Sequence, residues 1–259
     1  MNINIICKNL VSGKENIEEY FQNNNNILEQ IYFIPKKVDK TKFNVKDDSF
    51  LSHINKTIDY YKTIDIETVI RKYINLFEEE LNFKIENEKI YVIIGYNTTT
   101  IYSCMYNNQK VTVLLLESTK DLDYLKMLLA HEITHWIRAK KIDHDIFETC
   151  IGERFVTEGI ACNYSKKIVP NKKEEYYCIV PTDTVNWCKT NIAFLEKETK
   201  NNLNTNYKMS DFFYMFANIE YPTRTGYVYG YLKVLEYLHK NKLEVKDIIN
   251  IEWKKIFEQ

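Results

Sequence analysis

Residues 125–141 read LKMLLAHEITHWIRAKK, and this stretch carries two of the five histidines in the chain. His131 and His135 are four positions apart, and Glu132 directly follows the first of them. If the stretch is helical, residues i and i+4 lie on one face, so both imidazoles can reach a single cation. The spacing therefore predicts a metal site in which His131 and His135 are ligands and Glu132 is a general base. The alternative to a metal site is two unrelated histidines on an amphipathic helix.

The sequence before residues 125–141 favours a helix that follows a small sheet. Three runs of β-branched and aromatic residues are typical of strands: 91–96, 101–106 and 111–117. Residues 107–110 (NNQK) predict a hairpin turn. Ser118 and Asp121 have the spacing of a capping box, which predicts that the histidine helix begins there.

Helical periods on both sides of these runs predict the fold class. We expect an α+β protein that is mainly helical, with a small mixed or antiparallel sheet before the histidine helix and a helical C-terminal lobe. A chain of 259 residues can form one domain, 1–259. Within it, an N-terminal lobe (1–167) carries the sheet and the metal helices, and a C-terminal lobe (168–259) closes a cleft.

A third ligand is expected, because catalytic zinc usually has three protein ligands and one open position. The acidic and histidine candidates after the motif are Asp143, His144, Asp145, Glu148, Glu153 and Glu158. Glu153 and Glu158 are about 140° apart around a helix, so only one of them can face the metal. Glu158 precedes Gly159 and Ala161, and small residues allow a second helix to approach closely. This pattern favours Glu158.

The motifs together resemble a known class of peptidase. A longer histidine motif with glycine at position 138 and histidine at position 141 defines metzincins, and Arg138 and Lys141 exclude that class. HEITH followed by the glutamate of TEGIA resembles the gluzincin peptidases. With strand VTVLLLES and the late RTGYVYGYLKVLEYL segment, residues 90–240 resemble the bacterial family of predicted Zn-dependent proteases catalogued as a domain of unknown function.

The resemblance implies a zincin-like fold and one Zn²⁺ held by His131, His135 and Glu158, with Glu132 as the base in peptide hydrolysis. Two departures stand out. Cys162 follows Glu158 by one turn, where thermolysin-like enzymes place an acid that orients a zinc-bound histidine. No motif of the G-A-M-E-N type precedes the metal helix, so the resemblance does not extend to aminopeptidases.

The segment 221–231 (YPTRTGYVYGY) supplies two further candidates. A zinc peptidase needs a donor opposite the metal that stabilises the oxyanion of the tetrahedral intermediate, and Tyr227 is our candidate. Arg224 is a candidate for binding a substrate carboxylate. Core packing of Tyr227 and a surface position of Arg224 are the alternatives.

Composition restricts the partners. Lys and Arg (35) nearly balance Asp and Glu (36), so no net field favours nucleic acid or an anionic membrane. The N-terminus lacks the features of a secretory signal, and six cysteines without a C-x-x-C pair indicate reduced thiols in a cytoplasmic protein.

The hypothesis is zinc-dependent hydrolysis of a peptide or protein substrate. Two alternatives stay open: a metal-binding module without catalysis, and a zinc hydrolase that acts on another kind of substrate.

Overall fold

The structure is a computed structural model that describes residues 1–31, 48–95, 101–119, 121–142, 149–206 and 221–257. These residues are mainly helical and include a four-stranded mixed sheet, which confirms the predicted α+β class. The chain forms two compact units: Met1–Glu78 with Lys84–Leu128, and Glu79–Phe83 with Leu129–Gln259. The predicted division into lobes 1–167 and 168–259 stays a prediction.

The sheet belongs to the first unit. Its strands are β1 (Asn2–Ile5), β2 (Lys89–Ile93), β3 (Ile101–Tyr106) and β4 (Gln109–Leu115). The order is β1-β2-β4-β3, with β1, β2 and β4 parallel and β3 antiparallel to β4. The predicted hairpin is present, and Asn107 and Asn108 both have positive φ (48° and 58°), as a two-residue type I′ turn requires.

Among the described residues, three helices lie in the first unit, and a fourth begins there and ends in the second unit. They are α1 (Lys8–Val11), α2 (Ile17–Ile31), α3 (Asp48–Tyr61) and α4 (Ile66–Leu81). On α4 the buried side chains recur every three to four residues, at Ile66, Ile70, Ile74, Phe77 and Leu81. This spacing is one apolar stripe of a helix, so burial of that stripe holds α4 in the core.

Helix α5 (Leu122–Ile142) carries the histidine motif and begins after a short 3₁₀ turn (Leu116–Ser118). The predicted capping box is wrong in one respect. Asp121, and not Ser118, caps the helix, because its Oδ1 accepts a hydrogen bond of 2.7 Å from the backbone N–H of Tyr124. Ser118 belongs to the 3₁₀ turn, so α5 begins about one turn later than predicted.

The second unit is helical within the described residues. Its helices after α5 are α6 (Ile151–Ile168), α7 (Glu174–Cys178), α8 (Thr182–Thr190), α9 (Ile192–Lys200), α10 (Thr225–Asn241), α11 (Val245–Ile248) and α12 (Lys254–Phe257). None of the helices in the described part of the chain combines the length and the apolar character needed to span a bilayer.

Helices α6 and α10 touch through two glycines. A Cβ atom on Gly159 would lie 2.3 Å from the carbonyl oxygen of Gly230, and a Cβ on Gly230 would lie 2.1 Å from that of Phe155. Asn163 joins the helices further along, since its amide donates to the carbonyls of Gly159 and Tyr231. The close helix approach predicted at Gly159 is therefore present, with Gly230 as its counterpart on α10, and this packing positions the face of α6 that carries Glu158.

Replacing Gly230 by alanine is expected to lower the free energy of unfolding by about 1–3 kcal/mol, because the added methyl collides with backbone that cannot rotate away. The gain in helix propensity, about 1 kcal/mol, offsets part of this cost. Urea unfolding followed by circular dichroism measures the change. A variant as stable as the wild type would contradict the close contact between the helices.

Candidate metal centre

The two histidines of the motif lie on one face of α5, as the spacing predicts. Their ring centroids are 4.8 Å apart. The helix is buried on almost every side from Tyr124 to Arg138, where only Lys126 and His135 are partly exposed. A helix that is buried all round is held by the core and not by one amphipathic face, so the imidazoles have a rigid support.

Glu158 of α6 meets both imidazoles at one point. Its Oε2 atom lies 3.1 Å from Nε2 of His131 and 3.5 Å from Nε2 of His135. The side chains of Glu158, His131 and His135 are 2%, 6% and 11% exposed, respectively. The structure thus brings together the three residues that the sequence predicts as ligands, although they come from two helices and are up to 27 positions apart.

The geometry of these atoms suits a zinc ion. Zinc bonds to nitrogen and oxygen are about 2.0–2.1 Å long, so the ligand atoms of a tetrahedral site are about 3.3 Å from one another. The two distances to Oε2 of Glu158 lie on either side of that value. Two imidazoles and a carboxylate are also the donors that zinc accepts. The residues present therefore fit the metal that the motif implies.

Glu132 lies beside the same point. The ligand atoms of His131, Glu132 and His135 are all within 4.8 Å of one another, so this triplet is a second possible ligand set. Glu158 fits the third position better, because its oxygen is within 3.5 Å of both imidazoles. Glu132, which is 6% exposed, then lies beside these three side chains.

The charges around the carboxylate favour its ionised form. Burial acts to raise the pKa of Glu158, but the Arg154 guanidinium and the two imidazoles outweigh burial and hold the pKa well below its usual range. Arg154 Nη2 lies 2.8 Å from Oε1 of Glu158. An ionised carboxylate is the form of glutamate that binds a metal.

The outer face of the histidines differs from that of most zinc sites. Such histidines commonly donate their other N–H to a carboxylate or a carbonyl. Among the described residues, neither Nδ1 atom, of His131 or of His135, has a hydrogen-bond partner. Burial acts to lower the pKa of His131, but the Cys162 thiol and Glu158 outweigh it and raise the pKa. The Cys162 thiol therefore lies close to His131.

Tyr227 and Arg224 form a pair at the start of α10. The guanidinium carbon of Arg224 lies 4.1 Å from the ring centroid of Tyr227, and Nη1 donates a hydrogen bond of 3.0 Å to the carbonyl of Ile179. Ile179 and Arg224 both have left-handed backbone conformations, with φ of 53° and 62°. Such a conformation is an outlier for a β-branched residue, and outliers of this kind cluster at functional sites.

Tyr227 is within electrostatic reach of the metal-site carboxylate. Burial raises the pKa of the Tyr227 hydroxyl, and the charge of Glu158 raises it further, while Arg224 and Arg154 act in the opposite direction. A raised pKa keeps the hydroxyl protonated, which is the form that donates a hydrogen bond.

The other third-ligand candidates do not reach the centre or lie outside the described residues. Glu153 is bound by Arg138 instead: Nε and Nη2 of the arginine donate to its two oxygens over 2.8 and 2.9 Å. Thus Glu153 and Glu158 face different partners, as their spacing requires. The candidates Asp143, His144, Asp145 and Glu148 lie outside the described residues.

Arg154 was missed by the sequence reasoning. It is one turn before Glu158, and an i,i+4 pair of opposite charges on a helix is a readable signal. The signal is weak because most such pairs lie on solvent-exposed faces, and only the burial of α6 distinguishes this one.

The fold and the site define a class: α+β proteins with an HExxH helix and a candidate metal centre of two histidines and a glutamate. The chain belongs to the family described as "Predicted Zn-dependent protease (DUF2268)", whose model matches residues 63–258. The resemblance stated from the motifs is therefore confirmed. No curated protein and no solved structure matches the chain.

Proposed function

We propose that the protein is a zinc-dependent peptidase that binds one zinc ion. One observation carries the proposal: Nε2 of His131 and Nε2 of His135 approach the same oxygen of Glu158, within 3.5 Å, beside the carboxylate of Glu132. Membership in a family named for zinc-dependent proteolysis supports it.

His131, His135 and Glu158 would hold the ion. When bound, zinc supplies Lewis acidity, which lowers the pKa of a coordinated water from 15.7 toward about 7 and polarises a carbonyl group. Glu132 accepts a proton from the attacking water and delivers it to the leaving amine.

Tyr227 and Arg224 bind the substrate in this proposal. Tyr227 donates its hydroxyl hydrogen to the oxyanion that develops at the scissile carbonyl. Arg224 binds a carboxylate of the substrate. Its contacts with the Tyr227 ring and the Ile179 carbonyl hold the guanidinium in place, which reduces the entropy lost on binding.

Metal removal tests the proposal. We expect elemental analysis to find about one zinc per chain, since the site offers three ligands of the kind that zinc prefers. Dialysis against a chelator should abolish cleavage of a peptide library, read by mass spectrometry, and added zinc should restore it. A His135→Ala variant should bind zinc much more weakly, because it loses one of three ligands.

Three results would contradict this function. A zinc content near zero in protein purified without chelator would contradict the metal site, and so would undiminished zinc binding by His135→Ala. Bound zinc without cleavage of any peptide supports instead a metal-binding module without catalysis, or a hydrolase of another substrate.

A further inference from the structure

The two oxygens of Glu158 have different partners. Oε1 is 2.8 Å from Nη2 of Arg154, and Oε2 faces the imidazoles of His131 and His135 at 3.1 and 3.5 Å. Arg154 is one helical turn before Glu158 on α6. One oxygen of the carboxylate thus pairs with Arg154, and the other faces the two imidazoles.

The surroundings of Arg154 set it apart from an ordinary surface arginine. Every residue from Ile151 to Ser165 is buried except Arg154, whose side chain is 17% exposed. Its charge lies beside a carboxylate that is 2% exposed, where screening by water and salt is weak. An arginine hydrogen bond to a carboxylate is also directional, because the guanidinium is planar and its donors are fixed.

The last torsion of a glutamate side chain has broad energy wells, so a carboxylate without a second partner can rotate. Such a carboxylate can bind a metal through either oxygen or through both. The ion pair with Arg154 at Oε1 restricts this rotation and leaves Oε2 as the ligand atom. Because the imidazoles converge on Oε2, the arrangement selects the oxygen that completes the ligand set.

We propose that Arg154 is a positioning residue for the metal: it holds Glu158 through Oε1 so that Oε2 alone is presented to the ion. This inference rests on the proposed zinc site. It assigns Arg154 no contact with the substrate and no proton transfer. A purely structural Arg154 would stabilise α6 and leave the affinity for metal unchanged, so metal affinity separates the two roles.

The test compares Arg154→Met, which loses the charge and the hydrogen bond, with Arg154→Lys, which keeps the charge but loses the planar group. Arg71→Met is the matched control. Arg71 forms an i,i+4 pair with Glu67 of the same kind (2.7 Å), but both side chains are exposed. Zinc affinity is measured by competition with a chromophoric chelator, at a temperature where circular dichroism shows every protein folded.

We expect Arg154→Met to weaken zinc binding about 10- to 100-fold, the usual effect of removing a partner of a ligand. Arg154→Lys should fall between Met and the wild type, and Arg71→Met should bind as the wild type does. Co²⁺ provides a second readout: its visible absorption depends on coordination number, and Arg154→Met should alter it because the carboxylate can then use both oxygens.

Wild-type zinc affinity together with an unchanged Co²⁺ spectrum in Arg154→Met would overturn this inference and leave the proposed function intact. If Arg154→Met does not fold, Arg154→Lys decides, and a lysine variant with wild-type affinity and spectrum overturns it. A wild-type protein that binds no zinc contradicts the proposed function itself, which is a different result.

Discussion

A Glu132→Gln variant is expected to keep its zinc and to lose hydrolysis about 10²- to 10⁴-fold in kcat, the usual contribution of a general base. Glutamine has the size of glutamate and still forms hydrogen bonds, but its amide does not accept a proton from water at neutral pH. Glu132 is buried beside the two imidazoles, and its carboxylate oxygen lies within 4.8 Å of their nitrogen atoms. A base from the solvent therefore does not replace it. Single-turnover cleavage of a peptide substrate and the zinc content of the same sample measure both effects.

The control is Glu67→Gln, which makes the same chemical change at a partly exposed helical glutamate away from the site. It should leave kcat and zinc content as they are in the wild type. Hydrolysis that survives in Glu132→Gln would refute the general-base role. Zinc lost from Glu132→Gln would instead indicate that Glu132 is a ligand.

The largest expected effect on stability comes from Arg138. Its guanidinium donates two hydrogen bonds to Glu153, over 2.8 and 2.9 Å, and two more to the carbonyls of Ile249 and Ile251, over 3.0 and 2.9 Å. We expect Arg138→Met to lower the free energy of unfolding by about 3–5 kcal/mol, because the buried Glu153 carboxylate loses its countercharge. Urea unfolding at pH 7 measures the loss.

A double variant separates the countercharge from the packing. Arg138→Met with Glu153→Leu removes both buried charges, and replacing such a pair by apolar residues is often close to neutral. It should therefore recover much of the lost stability. Arg71→Met is the exposed control and should change the free energy by less than about 1 kcal/mol. A loss of that small size in Arg138→Met would contradict the ion pair.

Arg138 also illustrates how a residue can be informative in the sequence for one reason and important in the fold for another. In the sequence it excludes the metzincin class, because it occupies the position of a required glycine. Its partner Glu153 could be predicted only as the residue that does not face the metal. The pairing of the two needed the packing of α5 against α6, which depends on contacts between residues that are distant along the chain.

The elements around the motif show the same division. The strand runs, the 107–110 turn and the i,i+4 histidines follow from local rules of backbone geometry and side-chain period. Each is found in the structure with shifted ends: β2 ends at Ile93, the turn is limited to Asn107 and Asn108, and the third run ends in the 3₁₀ turn. The capping box was wrong, because Ser118 and Asp121 both satisfy the local pattern. In the structure Ser118 is the last residue of the 3₁₀ turn, one turn before α5 begins.

The sequence alone predicted that His131, Glu132 and His135 share a helix, because helical periodicity is a local property, and it favoured Glu158 as the third ligand. It also supported membership in the family, since the motifs recur at fixed spacings. Tertiary structure decided three further points: Glu158 meets both imidazoles with one oxygen, Arg154 takes the other, and Gly159 and Gly230 bring α6 against α10. These points depend on burial and on contacts between distant segments, which no local pattern encodes.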